Sequence, residues 1–206
     1  MAITSYDTLK TALTNYIDRG SDLDTYRDDW IDFAEAYFNR TLRTLDMQEE
    51  SSLTTDANGN ATLPTDFLGV ISARRIGSPN IELQPISMRG ENKLSPFDTA
   101  GVARFYSVSG TTFRVTPIEQ GTGLVTLTYY EKIVPLDDTN TSNWLLALAP
   151  DIYFYRALAE GFVFIRDFEK AAAYKAHAEE LITELKALDE QSRYHSAGIV
   201  YNGQVD

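Results

Sequence analysis

The sequence predicts an α+β fold: a helical bundle from the two ends of the chain, an antiparallel β segment inserted between them, and an extended C-terminal arm. Three observations carry it. Apolar residues recur at helical spacing in residues 4–45 and 143–192. Alternating β-branched and aromatic residues, cut by Gly, Pro and Asn turn signals, fill 46–135. From residue 196 the helical pattern gives way to a Gly-punctuated, β-branched tail. Residues 1–195 are expected to form one domain and 196–206 the arm.

Taking the elements in order, Tyr6, Leu9, Leu13, Tyr16 and Ile17 trace one helical face, capped by Thr4 or Ser5 and closed by Gly20. A second helix is expected from Asp22 or Asp24, burying Tyr26, Trp30, Phe33, Tyr37, Phe38 and Leu42. Its acidic first turns and Arg40 and Arg43 near its end match the helix dipole. Residues 47–54 read as a strand. Asp56, Asn58, Gly59 and Asn60 signal a type I′ turn, with 61–63 returning antiparallel. Strands follow at 69–76 and, past Gly77-Ser78-Pro79, at 81–86; 87–94 reads as a helical turn and 95–101 as loop. Residues 104–107 and 112–116 form a hairpin about Ser109-Gly110-Thr111. After the 117–123 connection comes a strand over 124–133, with Val125, Leu127 and Tyr129 on its buried face. Pro150 opens a helix apolar on nearly every face, one that belongs in an interior. The last helix carries a single seam of Ala171, Tyr174, Ala178, Leu181, Leu185 and Leu188.

Composition narrows the function. At 206 residues and 43 % hydrophobic, the chain can bury roughly 70 % of its extended surface without a metal or disulfide. It has no cysteine, which removes disulfides, thiolate nucleophiles and thiolate metal sites. No apolar run reaches the length of a membrane span, and the N-terminus is not that of a signal peptide. A formal charge of −12 argues against a groove that grips nucleic acid, though an acidic wall lets a polyanion pass without sticking.

Reactive constellations are scarce. His177 and His195 cannot make a zinc pair; His177 reads as a solvated flank residue and His195 as an exposed one. The acidic run from Asp22 places Tyr26 and Arg27 where a calcium loop needs an oxygen ligand and a glycine. No nucleophile elbow, P-loop or dinucleotide fingerprint occurs, and Gly121-Thr122-Gly123 lies between strands. Glu160, expected to pair with Arg156 or Arg166, and Asp151 are the carboxylates that burial would perturb. Arg74 and Arg75 point to opposite faces of their strand. No catalytic residue, cofactor or metal site is expected. The arm, with Ile199, Val200, Tyr201 and Val205, reads either as a frayed end or as a segment that adds to another subunit's sheet.

In order and spacing, five segments resemble the tailed-bacteriophage head-to-tail adaptor family. They begin at Ser5-Tyr6-Asp7, Trp30-Ile31-Asp32-Phe33, Leu63-Pro64-Thr65-Asp66, Leu127-Thr128-Tyr129-Tyr130 and Asn143-Trp144-Leu145-Leu146, and the similarity spans about residues 3–192. The resemblance implies a non-enzymatic ring subunit, typically of twelve copies, in the virion neck after assembly in the host cytoplasm. Its partners would be portal protein above and tail nozzle or tail-tube proteins below, with double-stranded DNA passing transiently through the lumen and no membrane. An arm that grips the portal would use Gly198, Ile199, Val200, Tyr201 and Val205. The alternatives are a stopper or tail-completion protein, a carboxylate-dependent hydrolase whose acids converge in one pocket, and a ligand-binding β module with an aromatic pocket near Tyr106, Tyr129 or Tyr130.

Overall fold

The computed structural model describes residues 2–17, 20–87, 101–118 and 123–196. The turn expected over 87–94, the loop at 95–101 and the 117–123 connection fall mostly outside these residues. The arm residues Gly198, Ile199, Val200, Tyr201 and Val205 fall wholly outside them. Helices and two largely antiparallel sheets make the chain α+β. It divides into two compact units, one from the described parts of Met1–Asp46 and Ile133–Asp206, the other Met47–Lys132.

The first unit is helical. α1 (Tyr6–Ile17) starts where the Ser5 hydroxyl accepts the Thr8 N–H at 3.3 Å and the Thr8 hydroxyl accepts the Ser5 N–H at 2.9 Å. That reciprocal cap selects Ser5 over Thr4. α2 (Arg27–Thr41) begins later than the acidic run suggests, because Gly20–Tyr26 winds as a 3₁₀ helix. Arg27 holds that tight winding: it donates to the Asp24 carbonyl at 3.2 Å and reaches the Lys10 carbonyl of α1 at 3.1 Å. The phase of α2 is set by Trp30, Ile31, Ala34, Phe38 and the following Leu42, all buried. Phe33 falls off that phase and is 58 % exposed, as Tyr26 is in part, so neither belongs to the core as expected.

After the β unit the chain returns as α3 (Trp144–Leu148), whose cap Asn143 accepts the Leu146 N–H, and α4 (Pro150–Phe164), with proline in its first turn. α4 is the interior helix, burying residues from Ile152 to Phe162. Gly161 lets it approach the neighbouring helices; a Cβ there would lie 2.8 Å from Ile17 Cδ1 and 3.1 Å from the Trp30 ring. Arg166, at φ 64°, turns the chain into α5 (Phe168–Ser196).

α5 packs chiefly on α4, burying Ala171, Ala178 and Ile182. The expected seam holds only in its first half. Leu181 and Leu185 are half-buried and Leu188 is 61 % exposed. Two causes combine. A seven-residue spacing drifts about 20° per repeat on a straight helix. At 1.5 Å per residue, the 29 residues of α5 span roughly 43 Å and the 15 of α4 roughly 22 Å, so the end of α5 overhangs its partner.

The second unit is two four-stranded sheets around one core that includes Leu53, Ala73, Phe113, Val115, Leu127 and Tyr129. The strands are β1 (Gln48–Thr54), β2 (Asn60–Thr62), β3 (Phe67–Ile76), β4 (Ile81–Glu82), β5 (Gln84–Pro85), β6 (Phe105–Ser109), β7 (Thr112–Thr116) and β8 (Leu124–Glu131). Their orders are β1-β8-β3-β4 and β2-β7-β6-β5. The β6–β7 hairpin and the buried face of β8 agree with the alternation in the sequence.

Three expectations are corrected here. Residues 61–63 do not return onto β1: β1 pairs with β8, Gln48 opposite Tyr130, while β2 pairs with β7 in the other sheet. The turn before β2 is also not type I′, since only Gly59 has positive φ (76°). Instead the Asp56 carboxylate accepts the N–H groups of Asn58 and Asn60, both at 2.8 Å, a side-chain turn that redirects the strand. Residues 81–86 likewise form two short strands, one in each sheet; β4 pairs antiparallel with β3 and β5 parallel with β6.

Candidate functional site

Three features of the helical unit could carry function. The first is a cluster of aromatic residues at the C-terminal end of α4. Phe164, 48 % exposed, lies 4.6 Å from the Tyr26 ring and 6.0 Å from Trp30; near the start of the same helix, the exposed Tyr16 meets Phe154 edge-on at 5.0 Å. Val163 and Phe168 are exposed as well. Phe164, Tyr26, Val163 and Phe168 thus leave apolar surface exposed on an otherwise acidic chain.

The second is a groove of about 480 Å³ where α5 overhangs the start of α4. Its apolar walls include Leu45, Leu148, Leu181, Leu185 and Leu188, of which Leu148 is 59 % exposed. Asp46, Asp151 and Glu184 stand among the lining residues, and among the described residues no basic side chain does. Asp189 is committed to structure: it accepts the Leu45 N–H at 2.7 Å and pairs with Arg193 at 2.8 Å. Arg193 in turn donates to the Arg43 carbonyl at 2.8 Å, tying the 43–46 segment across the overhang.

The third is Glu35, a buried carboxylate that sequence reasoning missed. Burial pushes it up to about 7, although hydrogen bonds from the Leu136 N–H and the Tyr153 hydroxyl favour the charged form. Nearby Asp32 and Asp137 add to the rise. The two bonds, 2.9 and 3.2 Å, converge on Oε1. One turn along α2, Asn39 accepts the Ile133 N–H at 2.9 Å. Side chains at i and i+4 thus clamp the extended 133–136 segment onto α2. The available signal was the Trp30, Ile31, Ala34, Phe38 phase, which puts position 35 on the buried face.

The other singled-out residues sort as follows. Glu160 pairs with Arg156 rather than Arg166, and the buried Arg156 guanidinium lies 4.2 Å above the Tyr37 ring. Asp151 accepts its own helix's Ile152 N–H at 3.0 Å. His177 is half-exposed, edge-on to Tyr155 at 4.5 Å and 3.6 Å from Glu180. On the β unit, Glu131 is raised first by burial and then by Glu49 and Asp66; Asp66 also accepts the Tyr129 hydroxyl at 3.2 Å. These acids lie along paired strands, and they do not line the leucine groove. Among the described residues no group of three His, Asp or Glu is placed to hold a metal ion, and no helix is long and apolar enough to cross a membrane.

A family model described as SU10 adaptor protein matches residues 4–201, nearly the whole chain. The chain belongs to the SU10 adaptor protein family. No curated protein matches it. The SU10 adaptor family is one of phage head-to-tail adaptors, structural proteins rather than enzymes. For an SU10 adaptor the informative surfaces are those that can meet other subunits, and the aromatic cluster and leucine groove occupy opposite ends of the same helix, α4.

Proposed function

We propose that this chain is one subunit of a ring, most simply a dodecamer, seated beneath the portal in the virion neck. The ring joins portal to tail nozzle or tail-tube proteins and passes double-stranded DNA. Host cytoplasm is where the subunit folds before assembly. The family match over residues 4–201 is the observation that carries this reading.

The chemistry of the chain is consistent with it. A protein of charge −12 repels its own copies, so ring contacts must come from apolar surface. The exposed Phe164 and Tyr26 rings supply such surface, as do the exposed Leu148 and Leu188 of the groove. Head-to-tail association, which joins two different surfaces of neighbouring copies, closes into a ring when the rotation allows. An acidic lumen would let DNA slide past, because contacts that release counterions are few.

In this reading the C-terminal arm, through Gly198, Ile199, Val200, Tyr201 and Val205, docks on the portal. The chain shortened to residues 1–196 should lose portal binding in a pull-down while its far-ultraviolet circular dichroism keeps the helical signature of the full chain. Unaltered portal affinity of the shortened chain would refute the arm's role. Electron microscopy of assembled particles that put the density beside the tail tube, away from the portal, would refute the adaptor position itself.

A further inference from the structure

The leucine groove lies where the described chain ends. Its wall runs along α5 from Leu181 to Ser192, and α5 closes at Ser196, one helical turn beyond. Ten residues follow, 197–206, with Ile199, Val200, Tyr201 and Val205 among them and no charged side chain before Asp206. Gly198 stands where a glycine commonly reverses a chain leaving a helix.

We propose that the groove is the resting site of the chain's own residues 199–205 in the free subunit, and that docking on the portal draws them out of it. The proposal rests on the portal-docking reading of the arm only for its second half. Length supports it: seven extended residues reach roughly 23 Å, and the α5 wall from Leu181 to Ser192 is roughly 16 Å long. A segment reversed at Gly198 therefore brings Tyr201 and Asn202 level with Leu188 and Ser192, and Val205 level with Leu181. Its side chains would cover the exposed Leu188 and Leu148. Charge agrees as well. The rim residues Asp46, Asp151 and Glu184 would repel an acidic segment, whereas 197–205 is neutral, and its one acid, Asp206, falls past the end of the wall.

Because the chain has no cysteine, an engineered pair reports this contact alone. The full-length chain is made with Leu188→Cys and either Asn202→Cys or Gly203→Cys, and bridging under mild oxidation is followed by non-reducing electrophoresis and peptide mapping. Glu190→Cys with Asn202→Cys serves as control, since Glu190 lies across α5 from the groove and is exposed. The expected result is an intrachain bridge from Leu188→Cys, independent of protein concentration and at least about tenfold faster than the control. Equal rates for the two helix positions, no bridge, or a bridge only between chains would overturn the proposal; the last would assign the groove to a second copy. If Leu188→Cys disturbs the helix by circular dichroism, Ser192→Cys with Tyr201→Cys makes the same test. The outcome is separable from the portal reading. A bridge with undiminished portal binding by chain 1–196 leaves the resting site and refutes docking, and no bridge with lost portal binding does the reverse.

Discussion

Replacing Glu35 with Gln should make the protein more stable at neutral and alkaline pH and leave it nearly unchanged in acid. The carboxylate has an ordinary value of 4.5 and is pushed up to about 7 by burial, so below pH 4.5 it is protonated in both folded and unfolded chains. There it contributes its full share of stability. As pH rises through about 7 the folded chain must hold a buried charge, and that share is lost. The interval from 4.5 to about 7, at ~1.4 kcal/mol per pH unit, amounts to about 3 kcal/mol. Gln keeps the acceptor oxygen on which the Leu136 and Tyr153 bonds converge and removes the charge. Urea unfolding of Glu35→Gln and the parent at pH 4.5, 6 and 8 isolates this group, since every other titration is common to both. The difference should open from near zero at pH 4.5 to about 3 kcal/mol at pH 8. A flat difference across that range, or a variant less stable than the parent at pH 8, would refute the claim that burial dominates at Glu35.

Three further outcomes follow from local geometry. Arg166→Gly should raise stability by up to about 1 kcal/mol in urea unfolding, because a left-handed residue with a side chain costs ~1–2 kcal/mol and glycine's extra chain entropy returns part of it. Asn143→Ala should cost about 1–2 kcal/mol, since it removes the α3 cap along with bonds to the Val134 carbonyl and the Tyr153 hydroxyl; thermal melting reads it. Gly59→Ala should lower the melting temperature, because φ is 76° and the added Cβ would lie 3.0 Å from the Val115 carbonyl oxygen; the strain should cost at least ~1 kcal/mol.

The sequence disclosed the features that are local. Pro150 followed by an all-round apolar run could only be an interior helix, and the alternation through Val125, Leu127 and Tyr129 marked the buried face of β8. What it concealed depends on partners distant in the chain. Ala61 belongs beside Phe113 and not beside β1, a choice made by two sheets closing on a shared core and not by the turn at Asp56. Glu35 looked like one more acid in an acidic helix; its partners, Leu136 and Tyr153, lie about a hundred residues away. The leucine groove was hidden inside a regular seam, since nothing local announces that α4 stops short of α5.

Gln48 at the start of β1 sits opposite Tyr130 near the end of β8, so the segment running from 47 to 132 leaves and re-enters the helical unit through two adjoining strands. A module attached by neighbouring ends can be cut out and the gap closed by a short hairpin loop without rethreading anything. The β segment is thus an insertion held by paired ends, and a chain in which a short turn replaces residues 48–130 keeps the rest of its sequence in the same order.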